Sequence, residues 1–449
     1  QMSMKSDFFA PHVLPDRGSW GSRLAWTAAV VFLLMACAAP PPPPPQRLSA
    51  PTAAVAFDAA IDFAVDDLLS QAQRLPDFQP PEKTIVESVL QKDKPVVRSK
   101  FVVDVALDSQ TGQQTMGTRF LDSRLLLRAK ARFPQFDVFP LPASMQPGKG
   151  LTNERYLLAA TLTPLGAQGA DTEARYRINI SMTDLRSGFV LAQAAANATA
   201  AGVDTTPTTF YQDSPSLVRD RIVEGQIRTA QAKTGAEADA TYVSSLTVSA
   251  LISEGARLYD AGQFDESLRV YEAAVARPDG KQLRVFNGLY LTNKQLGRAE
   301  AAEQAFGRIV ALGLSANTLS FKFLFKPAST DFLSDPKIAG PYEMWLRVLA
   351  KEMASTQHCV TVLGHSSRTG SEPVNERLSL SRAATMQRRL EALAPTLNGR
   401  LQSVGMGFRE NLIGTGTDER SRDRPGNGIG RARTQTSPII WGPHKKGFT

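Results

Sequence analysis

The stretch richest in groups that could do chemistry is Gly364-His365-Ser366-Ser367-Arg368-Thr369-Gly370, followed by Asn375, Leu378-Ser379 and Arg382-Ala383. It is one residue short of a nucleophile elbow, because Arg368 stands where Gly-x-Ser-x-Gly needs its last glycine. His358, Cys359 and His365 offer nitrogen and sulfur donors. Residues 358 and 359 fall on opposite faces of a strand and no fourth ligand is near, so no metal site is expected. Asn375 and Arg382 are seven residues apart and share one face if a helix has already formed there. Gly426-Asn427-Gly428-Ile429-Gly430 lacks the spacing of a dinucleotide loop. Asp104 and Asp108 flank a strand end, where such residues are caps and turn formers. With no nucleophile–base pair or supported carboxylate pair, the chain reads as a non-enzyme without catalytic residues or cofactor.

The elements needed to hold these groups are legible around them. Leu319 to Phe325 alternates as a strand, and Pro341 to Met353 is an amphipathic helix with Met344, Trp345, Val348, Leu349 and Met353 inward. Cys359 to Leu363 is an apolar strand leading into the glycine-flanked loop. A helix then runs through Met386, Leu390 and Leu393, and Val404-Gly405-Met406-Gly407 follows. In order and spacing this resembles the OmpA-like C-terminal domain: apolar strand, Gly-His-Thr-Asp-x-x-Gly, Asn-x-x-Leu-Ser-x-x-Arg-Ala on a helix, then Gly-x-Gly. The resemblance covers about 100 residues within a block at 318–449. It implies a mixed sheet packed on helices that binds peptidoglycan without bonding to it.

The chemistry so implied is electrostatic. A diaminopimelate side chain of the stem peptide ends in an ammonium and a carboxylate on one carbon, which suits a fixed acid and guanidinium. In the family the loop Asp takes the ammonium and the helix Arg takes the carboxylate. The Arg carries over to Arg382, whereas the Asp position falls on the uncharged Ser367. The peptidoglycan-binding set implied by the resemblance is His365, Ser367, Gly370, Asn375 and Arg382. Residues 420–436 depart from the family and show no apolar alternation, which reads as a divergent or frame-shifted tail. A last strand is expected to resume at Pro438-Ile439-Ile440-Trp441.

Upstream, the start of the chain reads as an address. Arg17 and Arg23 precede an apolar run from Leu24 to Ala36. Thirteen helical residues rise about 20 Å, short of the ~30 Å hydrocarbon core, so residues 1–36 read as a signal peptide rather than a span. Leu34-Met35-Ala36-Cys37 resembles a bacterial lipobox, which implies lipidation of Cys37. Ala38 rather than Asp then implies sorting to the cell outer membrane, facing the periplasm. Pro40 to Pro45 forms an extended spacer within a lipidated tether assigned to 37–83. That tether includes an amphipathic stretch at Phe57, Ile61, Phe63, Leu68 and Leu69.

Two further blocks lie between. Residues 84–232 read as a small α/β unit with a strand at Lys100–Leu107 and a turn at Asp108–Gly112. A helix follows with Met116, Phe120, Leu127 and Ala131 at helical spacing, and Leu121 and Leu125 beside them. Strands are expected at Phe136–Phe139 and Tyr156–Leu162. Tyr176, Ile178, Ile180 and Met182 alternate with polar residues as a half-buried strand. Val103-Asp104-Val105, Thr111-Gly112-Gln113-Gln114-Thr115 and Asp184-Leu185-Arg186-Ser187-Gly188 resemble the LpoB, TolB N-terminal and FlgO-type domains. Residues 242–313 carry Gly255, Tyr259, Gly262, Tyr271 and Ala274, echoed by Gly297, Ala302, Phe306 and Ile309. Gly262 and Gly297 are thirty-five apart, close to the tetratricopeptide period of thirty-four. Such a pair of hairpins must lean on its neighbours to bury its faces, and it reads either as plain helical packing between domains or as a groove for a partner peptide.

Composition agrees with these limits. The 449 residues suggest two to four domains. Two cysteines and four histidines exclude a disulfide scaffold and a Cys-rich zinc module. The balance of 51 Lys+Arg against 43 Asp+Glu, +8, is too modest over this length to suggest nucleic acid. The sequence therefore reads as a multidomain α/β and α+β outer-membrane lipoprotein that links the outer membrane to peptidoglycan. The alternative is a regulatory or scaffold lipoprotein that engages an envelope protein partner, a wall-synthesis or secretion machine, through residues 84–313.

Overall fold

In the computed structural model the described residues are 53–79, 99–143, 155–165, 175–217, 219–366, 370–407 and, as backbone, 439–443. The chain divides into Gln1–Arg47 and Leu48–Thr449. The signal peptide, Cys37, the proline run and Ser367 lie outside the described residues.

The first body is a sheet with helices on both faces. Its elements are α1 (Phe57–Gln73), β1 (Ser99–Val103), β2 (Leu107–Asp108), α2 (Met116–Arg132), β3 (Phe136–Pro140), β4 (Tyr156–Leu165), β5 (Arg175–Asp184) and β6 (Val190–Thr199). The strand order is β3-β1-β4-β5-β6, with β2 also on β4. β1 runs parallel to β3 and β4, whereas β4, β5 and β6 are antiparallel neighbours. α1 and α2 cover one face through Ile61, Leu68, Leu121 and Leu125 against Leu158, Ala160, Ile178 and Ile180.

Three expectations change here. The stretch assigned to the tether contributes α1, a core helix, because Phe57, Ile61, Val65, Leu68 and Leu69 form one buried stripe. α2 forms where its period predicts, but turned. Leu121, Leu125 and Ala129 are buried, while Met116, Phe120 and Leu127 are 46%, 45% and 66% exposed. In this rotation Leu121, Leu125 and Ala129 join the core with α1, and Arg124 and Arg128 pair with its Asp62 and Asp66 at 2.7 and 2.5 Å. β5 is buried on both faces rather than one, because α4 (Arg221–Gln231) lies over its polar side and the Ser181 hydroxyl donates to the Thr229 carbonyl at 2.7 Å.

Between β6 and α4, α3 (Thr209–Asp213) starts the link to the rest. After α4 come α5 (Ala240–Ser244), α6 (Leu246–Asp260), α7 (Phe264–Val275), α8 (Leu283–Gln295) and α9 (Ala299–Ala316). The last four form two helix hairpins. Tyr271 is fully buried between Gly255 and Gly288, where a Cβ at either glycine would meet its ring. The hairpins do lean on both neighbours. Tyr242, Leu246 and Ala250 pack on Val102 and Leu157 of the first sheet. Tyr290 and Phe306 pack on Trp345, whose indole N–H donates to the Tyr290 hydroxyl at 2.8 Å.

The C-terminal part comprises β7 (Ser320–Phe321), α10 (Pro336–Ala339), α11 (Tyr342–Ala354), β8 (Val360–Gly364), α12 (Glu372–Leu393), β9 (Leu401–Gly405) and β10 (Ile439–Pro443). The sheet order is β7-β10-β8-β9, with β8 and β9 parallel and β10 antiparallel to both its neighbours. The strand expected from Pro438 is present as β10. Of the strand expected from Leu319 to Phe325, Ser320–Phe321 joins this sheet and Phe325 bridges Phe332 instead, with Phe321, Phe323 and Phe325 all buried.

Candidate functional site

The site is built where β8 ends and α12 begins. The loop leaving β8 is fastened to the end of β9: the Met406 amide donates to the Gly364 carbonyl at 2.9 Å, and the Ser366 amide donates to the Gly407 carbonyl at 2.8 Å. α12 lies directly on these turns. The Ser379 hydroxyl accepts from the Gly407 amide at 2.9 Å and donates to the Glu376 carbonyl at 2.9 Å. A Cβ on Gly405 would stand 2.6 Å from the Glu376 carbonyl oxygen. The helix can approach this closely only because glycine occupies the strand ends.

Asn375, Ser379 and Arg382 occupy one buried stripe of α12 with Ala383, Met386 and Leu390, so the seven-residue spacing does bring Asn375 and Arg382 to one face. Asn375 Nδ2 donates to the Ser371 carbonyl at 3.2 Å and closes the first turn. Gly370, just before the helix, has φ +94°, a conformation glycine adopts freely. Ser367 is outside the described residues.

Arg382 is 1% exposed. Its Nε donates to the Ser329 carbonyl at 3.0 Å and its Nη2 to the Lys326 carbonyl at 3.1 Å. The guanidinium carbon lies 5.0 Å from the centre of the Phe325 ring. Burial pulls its pKa down to about 10, which leaves it charged at neutral pH. Two carbonyls and an aromatic face therefore orient a buried cation. Sequence reasoning missed this cradle. Its signal is the turn-rich Lys326-Pro327-Ala328-Ser329-Thr330-Asp331 between two phenylalanines. The loop is closed by the Lys326 amide on the Asp331 carbonyl at 2.8 Å, with Ala328 at φ 50°.

His365 is equally buried, and among the described residues neither imidazole nitrogen has a hydrogen-bond partner. Burial pushes its pKa down to about 4, so it is neutral at pH 7. The Ser366 hydroxyl next to it is also buried with no partner among the described residues. Unpartnered buried polar groups are costly and mark places where a ligand or water completes the bonding. Arg382 is a charged donor on α12, and His365 and Ser366 at the end of β8 carry groups that can donate or accept. Among the described residues, no three His, Cys, Asp or Glu side chains gather as a metal cluster. Cys359 is exposed on the approach to β8.

No protein-family model matches the chain, and no curated protein does. Solved structures are similar to part of it, among them the following two. An outer membrane protein from Borrelia burgdorferi B31 is 18% identical, with 27% of this chain and 87% of that one covered and a TM-score of 0.19. The OmpA-like domain of FopA1 from Francisella tularensis subsp. tularensis SCHU S4 is 15% identical, with 29% and 77% covered and a TM-score of 0.18. Among the described residues no helix is long and apolar enough to cross a membrane.

Proposed function

We propose that the chain is a cell-envelope binding protein whose C-terminal part holds peptidoglycan non-covalently through a stem-peptide carboxylate. The observation that carries this reading is Arg382, a buried guanidinium oriented by the Lys326 and Ser329 carbonyls on the same helix face as Asn375 and Ser379. Charge-assisted bonds to a carboxylate are stronger than neutral ones, and more so away from bulk water. The protein acts as a ligand-binding anchor rather than as an enzyme. In this reading Cys37 carries the lipid that ties it to the outer membrane, and the proline run spaces body from bilayer.

Sedimentation of the full chain with purified sacculi, with and without free diaminopimelate, tests it. The expected result is co-sedimentation that free diaminopimelate reverses. Arg382→Ala is expected to weaken binding by roughly 2–3 kcal/mol, and Ser367→Asp to tighten it by supplying an acid for the ammonium. Thermal unfolding of each variant separates lost binding from lost fold. Sacculus binding that ignores both diaminopimelate and a folded Arg382→Ala protein would overturn the reading. For the anchor, Cys37→Ser is expected to release the protein from membranes; unchanged partitioning with no lipid on Cys37 by mass spectrometry would remove that part.

A further inference from the structure

A cleft of about 910 Å³ opens between the second helix hairpin and α11, and its lining shares no residue with the Arg382 cradle. Its floor is apolar: Val275, Phe286, Leu289, Ala305 and Val348. It continues into a smaller cavity of about 430 Å³ lined by Val275, Phe286, Ala311 and Leu312, with Lys281 and Arg308 as its charged walls. The volume is in the range that holds an organic side chain or short peptide.

The charges are unevenly shared along this cleft. In the larger cleft Arg347 is paired with Glu303 at 2.6 Å, and Glu300 and Glu352 share the lining with Lys351. The smaller cavity has no acidic lining residue. Lys281 and Arg308 are both exposed, and neither forms an ion pair among the described residues. Arg308, Ala311 and Leu312 recur at i, i+3 and i+4, so α9 presents one cation and an apolar patch on a single face. A ligand complementary to this end carries a bulky apolar group with negative charge beside it. Gly307 lines the cleft, and a Cβ there would meet only Val348 and Glu352, at 3.8 and 3.9 Å. The missing side chain leaves the floor open.

We infer that this cleft docks an acidic peptide segment of a partner protein. An aromatic or branched side chain of that segment sits on Phe286 and Leu312, and its carboxylates meet Lys281 and Arg308. The four residues that meet this segment lie on the hairpins, and α11 adds Val348 to the wall of the larger cleft that continues from them. The inference stands apart from wall binding, and its test uses no wall material.

The test pans a random heptapeptide phage library on the full chain, then measures synthetic copies of enriched peptides by fluorescence anisotropy. The variants are Lys281→Glu/Arg308→Glu, which reverses the charge, and Gly307→Phe, which fills the floor without changing charge. Circular dichroism checks that both are folded. The expected result is enrichment of peptides pairing acidic residues with an aromatic or branched one. Binding should weaken at least tenfold in both variants and fall as salt is raised. No enrichment, enrichment of basic or uncharged peptides, or affinity retained in both folded variants overturns the inference. So does concentration-dependent dimerisation that the charge reversal abolishes, which would assign the cleft to a second copy of the chain.

Discussion

The backbone of Gly364 lies against the carbonyl of Ser379, close enough that a Cβ on Gly364 would collide with that oxygen and crowd Ala383. The end of β8 and the middle of α12 are in direct backbone contact, and the loop carrying His365 and Ser366 is positioned by it.

Gly364→Ala is therefore expected to push α12 off the sheet. Overpacking of this kind costs about 1–3 kcal/mol, read as a lower urea midpoint. The control is Gly188→Ala, where nothing lies within 4 Å of the new Cβ and only the positive φ resists. Gly188→Ala is expected to cost about 1 kcal/mol and leave sacculus binding unchanged, whereas Gly364→Ala lowers both.

His365 makes stability depend on acid. Its folded pKa of about 4 lies below the ordinary value of 6.5, so the unfolded chain binds the proton more readily between these values. Stability is fully present above about pH 6.5 and falls as pH drops towards 4, by on the order of 3 kcal/mol. His365→Asn, which cannot titrate, is expected to flatten this part of a stability–pH profile measured by urea denaturation. A profile unchanged by the substitution would show that another group governs it.

Asp122 acts in the opposite sense. Burial and the neighbouring Asp104 push its carboxyl up to about 8, while it still accepts the Ala106 amide at 3.0 Å. The folded state then holds the proton that the unfolded state gives up. Its contribution is fully present below about pH 4 and is lost as pH rises towards 8. Asp122→Asn is expected to remove that loss, so the variant gains on the wild type as pH is raised across this window in the same denaturation measurement.

The cradle of Arg382 contains a strained residue. Ala328 has φ 50°, a left-handed conformation that costs an L-residue roughly 1–2 kcal/mol. Ala328→Gly removes that strain but adds about 0.4–1 kcal/mol of unfolded-state entropy. The net expectation is a gain of about 0.5–1 kcal/mol in thermal unfolding, with the Arg382 hydrogen bonds kept. A loss of stability would mean that the loop does not hold this turn in solution.

Periodicity along the chain determined which segments are helices and strands in much of this protein. Phe264–Val275, Tyr342–Ala354 and Val360–Gly364 follow their apolar spacing, and Asn375 and Arg382 share a face because seven residues are nearly two helical turns. Those are local properties. Which stripe of a helix is buried is not, when two are apolar. α2 turned Leu121 and Leu125 into the core and left Leu127 in solvent, with Phe120 half-exposed against Phe57 of α1 and Arg124 and Arg128 paired with Asp62 and Asp66. The polar side of β5 is buried because α4, forty residues on, supplies a carbonyl for Ser181. Arg382 was legible as a guanidinium at a motif position. Only the tertiary structure decided that the carbonyls of Lys326 and Ser329, over fifty residues earlier, orient it. Backbone carbonyls carry no sequence signature, and their direction is set by the fold of the loop that presents them.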